Sequence, residues 1–240
     1  MFEWFHKKKH SLVASGLLNG MTDIHSHILP GVDDGSPDTE TSLQLLAYME
    51  ELGFRKVWLT PHVMEDFPNS TQGLEENFHS LLNAYNGPLE LALASEYMLD
   101  AGFPSRLPRQ VLPLGKRHLL VETSYMYGPS GLHDILFNVC NHGFQPVIAH
   151  PERYMYMSEA DYRRLKEQGY SLQLNLMSLS GYYGKRPQLV SEDLLAKGWY
   201  DFVGSDLHHL HRYQPMLAAL KLKKEQLDAL GKLIENNRSI

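Results

Sequence analysis

Seven short β-rich runs alternate with helical patterns along this chain, and the alternation limits its fold more than any other feature. The runs lie at residues 22–27, 57–60, 89–94, 119–121, 146–149, 171–175 and 202–205. Strands that are separated by helices pair in parallel, because a parallel pair needs a crossover connection. Several runs are almost continuously apolar, as strands buried on both faces are. We therefore expect an α/β fold with a parallel sheet, of which a βα barrel is the closed form.

Helical patterns with capping residues fill the intervals between the strands. They predict helices over Thr39–Leu52, from Ser70 and Thr71 to about Tyr85, and over Ser130–Asn141, Ser158–Gln168, Pro187–Lys197 and Gln214–Asn236. Ser36 or Asp38 would cap the first helix, and Gly231 would break the last one. The longest irregular stretch, 97–116, is rich in proline, and loops of that length are usually functional.

Length and charge indicate one domain and limit its partners. The 240 residues fit a single domain over 21–240, preceded by a leader over 1–20. The leader carries Lys7–Lys9 after three aromatic residues, so it either packs on the domain, moves freely or contacts an anionic membrane. It lacks the apolar run of a secretory signal, and no stretch of the sequence is long enough for a membrane span. The net charge of −6 argues against nucleic-acid binding.

The single cysteine, Cys140, excludes an internal disulfide and cysteine-based zinc motifs, which favours the reducing cytoplasm. A cysteine-based phosphatase needs an arginine six residues after its nucleophile, and Pro146 stands at that position. We expect Cys140 to be a small buried residue on a helix.

Metal-type side chains stand where most of the predicted strands end. They are His25, His27, His62, Glu96, Glu122, His150, Asp206 and His208. The carboxyl ends of the strands open at one end of a barrel, so these ligands would meet there in a polynuclear site. Asp23 would orient one of the first two histidines. Asp33 or Asp34, in the loop that follows, would reach a further ion.

These ligand types, combined with nearby arginines, indicate phosphoryl chemistry. Imidazole and carboxylate without thiolate suit Mn²⁺, Fe²⁺ or Zn²⁺. Two or three such ions activate water and hold the attacking and leaving oxygens of a phosphoryl transfer. Arg153 and Arg212 have planar forks that match a phosphate, although a lone arginine is more often part of a surface ion pair. The tyrosines after the ligand strands either pack loops or form an aromatic rim for a substrate ring.

The same residues form motifs that resemble those of the PHP (polymerase and histidinol phosphatase) superfamily. The first motif is Asp-Ile-His-Ser-His at 23–27, and the later ones contain His62, Glu96, Glu122, His150 and Asp206-Leu-His208. A closer similarity is to the bacterial capsule and exopolysaccharide protein-tyrosine phosphatases. Its marks are the segments 25–35, 94–97, 147–154 and 204–208, and it extends over about 22–213.

This resemblance implies a distorted seven-stranded (β/α)7 barrel of PHP type, similar to a TIM barrel, with a trinuclear site. It implies manganese-dependent hydrolysis of phosphotyrosine on the tail of a membrane-linked tyrosine kinase that controls polysaccharide export. It also matches the third-metal position to Asp33 better than to Asp34. From their own positions, Arg153 and Arg212 would bind the phosphate in catalysis, and His208 or His62, both also ligands, would supply a proton to the leaving group.

Two other functions remain open at the level of the sequence. One is a small-molecule phosphatase, such as a histidinol-phosphate phosphatase. The other is a non-catalytic module that docks a kinase tail through its basic leader. The complete ligand set argues against the module, because a binding module does not need eight converging ligands.

Overall fold

Parallel strands and the helices that cover them make up most of the chain. The structure is a computed structural model that describes residues 8–107 and 109–240. Its α-helices are α1 (Thr39–Glu51), α2 (Thr71–Ala84), α3 (Phe103–Arg106), α4 (Leu132–Asn141), α5 (Glu159–Glu167), α6 (Lys185–Lys197), α7 (Leu210–Ala219) and α8 (Lys224–Asn237). Short 3-10 helices lie at Val13–Ser15, Pro151–Arg153 and Leu176–Ser180.

The strands of the described residues are short, and seven of the eleven fall where the apolar runs predict them. They are β1 (Lys9–Ser11), β2 (Thr22–Asp23), β3 (Lys56–Leu59), β4 (His62–Val63), β5 (Glu90–Leu93), β6 (Glu96–Met98), β7 (His118–Glu122), β8 (Gln145–Ala149), β9 (Ser171–Asn175), β10 (Phe202–Gly204) and β11 (Lys221–Lys223). Every predicted run therefore contains a strand, which confirms the expectation of a mixed α/β fold.

The strands form two parallel sheets, with an antiparallel pair of β1 and β11 beside them. One sheet has six strands in the order β10-β9-β8-β7-β6-β4, and the other has three in the order β2-β3-β5. This pairing does not form the single closed ladder of seven strands that the resemblance implies. After the second and third predicted runs, which form β3 and β5 of the three-stranded sheet, the chain joins the six-stranded sheet as β4 and β6, with breaks at Thr60-Pro61 and Ala94-Ser95. Pro61 contributes to this division, because a proline has no N–H to donate to a ladder.

Backbone hydrogen bonds nevertheless connect the two sheets. Asp206 N donates to His25 O at 2.8 Å, and His27 N donates to Leu207 O at 3.0 Å. On the other side, Thr60 N donates to Ser26 O at 2.8 Å. The segment after β2 therefore lies between the ends of β3 and β10.

Two hydrophobic clusters fill the interior. The larger one lies between the strands and the helices. The smaller one consists of Ile24, Trp58, Ala94, Leu114, Leu120, Val147, Ala149 and Phe202. Most of its members come from strands of both sheets, so the two sheets share an apolar centre.

The helices agree with the sequence patterns except at the carboxyl end. Asp38 is the residue that caps α1, because its side chain accepts a hydrogen bond from Thr41 N at 2.8 Å. The last helical region is divided by β11 and not at Gly231, which lies within α8. The division occurs because Lys221–Lys223 pairs with Lys9–Ser11, more than two hundred residues away in the chain.

The described part of the leader packs on the domain. Leu12 and Leu18 are buried and belong to the larger hydrophobic cluster. Residues 1–7, which carry the aromatic side chains and Lys7, lie outside the described residues, so the expected membrane contact concerns a part of the chain that is not described. No helix among the described residues combines the length and apolarity needed to cross a bilayer.

Candidate metal centre

The predicted strand-end ligands converge in one place, at the carboxyl ends of the parallel strands. Four groups of side chains have ligand atoms within 4.8 Å of one another. The groups are His25/His27/Asp206, His25/Glu96/His150, His62/Glu96/Glu122 and His27/Asp34/His62/His208. Because several residues belong to two groups, the ligands form one continuous cluster.

The two histidines after β2 stand at the centre of this cluster. His25 Nε2 lies 3.2 Å from Glu96 Oε2 and 3.4 Å from Asp206 Oδ1. His27 Nε2 lies 3.4 Å from each of the same two oxygens. The other ring nitrogen of each histidine is held by an outer partner, Gln173 Oε1 at 3.0 Å for His25 and Asp33 Oδ2 at 2.8 Å for His27. Such partners fix the ring orientation and tautomer of a metal ligand.

Asp33 and Asp34 have different positions, which the sequence could not distinguish. The carboxylate of Asp33 contacts His27 and accepts hydrogen bonds from the backbone amides of Gly35 and His62, both at 3.0 Å. Its oxygens are therefore occupied by the protein. Asp34 Oδ1 lies 3.5 Å from His62 Nε2 and 3.5 Å from His208 Nε2. The structure thus places Asp34, and not Asp33, among the grouped ligands, and Asp33 behind His27.

Glu96 and Glu122 link the remaining histidines. Glu96 Oε1 lies 3.0 Å from His150 Nε2, and Glu96 Oε2 lies 3.1 Å from His62 Nδ1. Glu122 Oε1 lies 3.1 Å from His62 Nδ1. The pairing register explains this arrangement, because His62 on β4 stands directly opposite Glu96 on β6.

Asp206 presents one oxygen to the cluster and the other to the protein. Its Oδ2 accepts hydrogen bonds from Arg153 at 2.8 Å, from Asn175 Nδ2 at 2.7 Å and from Tyr183 OH at 3.2 Å. Burial would raise the pKa of this carboxyl, but the positive charges of His25, His208 and Arg153 hold it well below its usual range. Asp206 therefore remains an anion, with Oδ1 directed at the histidines.

Buried atoms without hydrogen-bond partners show that the cluster fits divalent cations. Six buried side-chain N or O atoms of the described residues make no hydrogen bond, and four of them are His62 Nδ1, Glu96 Oε2, Glu122 Oε1 and His150 Nδ1. His62 Nδ1 lies 3.1 Å from each of the two carboxylate oxygens, but without hydrogen-bond geometry. An unpaired buried polar atom is costly, so each needs an explanation. Carboxylate oxygens and imidazole nitrogens crowded in this way fit bound metal ions, which would also offset the buried negative charge.

The backbone is strained where the cluster is built. His150 has a φ of 32° and Asp206 a φ of 52°, and among the described residues no other non-glycine residue has a positive φ. Gly204 allows the backbone to approach His25 closely, because a Cβ at this position would lie 2.6 Å from His25 Cβ. Left-handed non-glycine residues concentrate at functional sites, where the surrounding structure holds them in place.

An open cavity of about 380 Å³ lies above the cluster. The two predicted arginines, Arg153 and Arg212, both line it, together with His208 and Tyr182. The Arg153 guanidinium lies between two aromatic rings, 4.3 Å from the centroid of Tyr125 and 4.1 Å from that of Tyr183. One of its nitrogens is bound to Asp206, so its other donors are held near the cavity.

Several site residues carry no strong signal in the sequence. Gln173 and Asn175 lie on β9, a strand for which we predicted no ligand, and they contact His25 and Asp206 respectively. Their alternation with leucines in Ser-Leu-Gln-Leu-Asn is the only sequence signal that could have identified them.

Asp23, which we expected to orient one of the first two histidines, does not contact an imidazole. It accepts hydrogen bonds from Ser205, and burial raises its pKa to about 6.

Cys140 is far from this chemistry. It lies on the exposed side of α4, so the expectation of a buried residue is wrong. The groove that it lines also contains Arg117, Gln145 and Gly169. These residues stand at the amino ends of the parallel strands, opposite to the ligands.

The comparisons with known proteins agree with this geometry. A family model described as capsular polysaccharide synthesis, CpsB/CapC, matches residues 21–237. The chain belongs to the CpsB/CapC family. The match covers all of the candidate ligands and leaves residues 1–20 outside.

Relatives in the CpsB/CapC family have named activities. The chain is 28% identical over 230 residues to the tyrosine-protein phosphatase YwqE of Bacillus subtilis, covering 92% of this chain and 91% of the relative. It is 30% identical over 212 residues to the tyrosine-protein phosphatase CpsB of Streptococcus pneumoniae, covering 82% and 86%. A chain from the crystal structures of these two proteins, described as unique metal-dependent tyrosine phosphatases, has a TM-score of 0.74 and 27% identity, covering 90% of this chain and 95% of that one.

Proposed function

We propose that this CpsB/CapC family member is a metal-dependent protein-tyrosine phosphatase, a phosphoric monoester hydrolase. The observation that carries the proposal is the cluster of buried imidazole and carboxylate atoms, four of them without a hydrogen bond, beneath a cavity that two arginines line. The names of the relatives support the choice of phosphotyrosine as the substrate.

We assign the ligands from the four groups described above. They are His25, His27, Asp34, His62, Glu96, Glu122, His150, Asp206 and His208. Two or three divalent ions would be held there, with Mn²⁺ as the first candidate and Fe²⁺ or Zn²⁺ as alternatives. Asp33 acts on His27 from behind, so Asp34 replaces it in the set for the third ion.

The chain's own residues bind the phosphate and assist the leaving group. Bound divalent ions would supply positive charge for the phosphate oxygens and a water of lowered pKa. Arg153 holds its free donors in the cavity, where they match the oxygens of a phosphate, and Arg212 adds a second cation. A phenol has a pKa of about 10, so tyrosine departs with little help from an acid. His208, which is partly exposed, would donate that proton through Nε2 in a state where this atom does not hold an ion, because its Nδ1 lies 2.9 Å from Asp206 O.

Membership of the family supports a proposal for the biological setting. The substrate would be the phosphotyrosine tail of a membrane-linked tyrosine kinase that regulates capsule or exopolysaccharide synthesis, in the cytoplasm. The catalytic domain would span 21–240, with 1–20 as a leader of which residues 8–20 pack on the domain, so that the proposed contact with a membrane surface would fall to residues 1–7. The two sheets would form a distorted seven-stranded barrel of PHP type, which their shared apolar centre and the hydrogen bonds between His25–His27 and Asp206–Leu207 support.

Metal and substrate assays test this proposal. Purified protein is expected to contain two or three transition ions per chain, to lose activity with a chelator and to regain it best with Mn²⁺. The kcat/KM for phosphotyrosine peptides is expected to exceed that for histidinol phosphate under Mn²⁺ at the same pH. Absence of bound metal with unchanged turnover after chelation would overturn the metal mechanism. A clear preference for histidinol phosphate would replace the tyrosine-phosphatase assignment.

A variant of the cysteine separates this mechanism from a thiol-based one. Cys140→Ser is expected to keep near wild-type kcat, because Cys140 lies at the opposite ends of the strands from the ligands. Steady-state kinetics on a phosphotyrosine peptide measure this directly. A large fall in kcat, or a phosphocysteine trapped by rapid quenching, would contradict the proposed chemistry.

A further inference from the structure

A second groove adjoins the active-site cavity. This side groove has a volume of about 390 Å³ and is lined by Tyr125, Arg153, Met155, Tyr183, Gly184, Lys185, Arg186 and Pro187. Tyr125, Arg153 and Tyr183 line the active-site cavity as well. The stack of Arg153 between the two tyrosines therefore forms a wall common to both spaces. A polypeptide whose phosphotyrosine enters the cavity would have its neighbouring residues beside the side groove.

The side groove is already formed in the free protein. Arg186 donates hydrogen bonds to the carbonyl oxygens of Tyr154, Met155 and Met157, each at 3.2 Å. Met155 N donates to Tyr125 O at 2.7 Å, which joins the two loops that border the groove. A surface fixed in this way loses little conformational entropy when a ligand binds.

The chemistry of the groove and its border is apolar and cationic. Eight large apolar side chains are exposed among the described residues, and four of them are in two loops at this place: Tyr127 (75%), Met126 (58%), Met155 (48%) and Tyr125 (38%). Apolar side chains gathered at the surface mark interaction sites. The lining of the groove contains three cationic side chains, Arg153, Lys185 and Arg186, and no carboxylate, although the whole chain has a net charge of −6.

We propose that the side groove binds the residues of the substrate polypeptide that flank the phosphotyrosine, and that it selects acidic and apolar side chains there. The inference rests on the proposed function and specifies its substrate. Met155 offers apolar contact, and the exposed Lys185 offers a charge to an acidic residue. A small phosphate ester fills the cavity alone and gains nothing from the groove.

Kinetics on two substrates test the groove. We compare a phosphotyrosine peptide that has acidic and apolar flanking residues with p-nitrophenyl phosphate, using the Mn²⁺-loaded enzyme. Met155→Ala and Lys185→Glu are each expected to raise KM for the peptide about five- to tenfold, the effect of losing roughly one good contact. The kinetic constants for p-nitrophenyl phosphate should not change, because neither residue lines the active-site cavity.

Matched controls come from other exposed positions. Phe137→Ala and Lys221→Glu change the same kinds of side chain away from the groove, and they should leave both substrates unaffected. An unchanged peptide KM in the groove variants, or an equal change for both substrates, would overturn the inference.

A binding assay separates failure of the groove from failure of the proposed function. A fluorescent peptide with a non-hydrolysable phosphonate in place of the phosphate can be titrated without turnover. Weaker binding to Met155→Ala than to wild type supports the groove even if the enzyme does not hydrolyse peptides. Equal binding to both proteins rejects the groove even if phosphatase activity is present.

Discussion

His27→Ala is expected to abolish phosphatase activity while the fold is retained. His27 belongs to two of the four ligand groups, so its loss removes donors from two places at once. The hydrophobic clusters are made by other residues, and removing one of several crowded imidazoles does not open the apolar core. Asp206→Ala should act in the same way, because Asp206 Oδ1 faces both His25 and His27.

The measurements are kcat at saturating Mn²⁺, metal content by elemental analysis and the circular-dichroism spectrum with its melting curve. His79→Ala is the matched control, since His79 is exposed on α2 and should keep full activity. If His27→Ala kept wild-type kcat and metal content, His27 would not be a ligand. If the variant lost its secondary structure, the role of His27 would be structural.

Replacement of Arg153 by alanine is expected to lower kcat/KM by about 10²-fold or more, the effect typical of removing one preorganised charge-stabilising group. Arg153 is fixed by Asp206 and by the rings of Tyr125 and Tyr183, so its charge stays in the cavity. Arg153→Lys should recover only part of the loss, because an ammonium group lacks the planar fork.

Two readouts distinguish phosphate binding by Arg153 from its contact with Asp206. Inhibition by inorganic phosphate should weaken in Arg153→Ala if the guanidinium binds the phosphate. The affinity for Mn²⁺, measured by calorimetry, should fall instead if the arginine acts mainly by holding Asp206. Arg163→Ala, at an exposed position on α5, is the control and should alter neither quantity.

The sequence predicts that the candidate ligands converge, because parallel strands bring their carboxyl ends together. Residues as distant in the chain as His25 and Asp206 can be placed side by side from their positions after apolar runs. The mixed α/β fold follows from the alternation of apolar runs with helical patterns along the sequence. The division of the strands into two sheets could not be predicted, because the breaks at Thr60-Pro61 and Ala94-Ser95 depend on local pairing that an apolar run does not reveal.

The outer partners of the site and the long-range pairings were beyond sequence reasoning. Gln173 and Asn175 are uncharged residues in a buried strand, and only their neighbours in space give them a role. Asp33 and Asp34 are adjacent and chemically identical, so the loop conformation alone decides that Asp33 holds His27 from behind and that Asp34 joins His62 and His208. The pairing of β1 with β11 joins two polar, lysine-rich segments that have no hydrophobic pattern.

The left-handed backbone at His150 and Asp206 limits how this protein can be engineered. Such a conformation costs an L-residue about 1–3 kcal/mol, and glycine adopts it without penalty. Glycine at either position would relieve the backbone strain but remove a candidate ligand, and at Asp206 it would also remove the ion pair with Arg153. Directed evolution of a more robust enzyme has to select for turnover and heat resistance together.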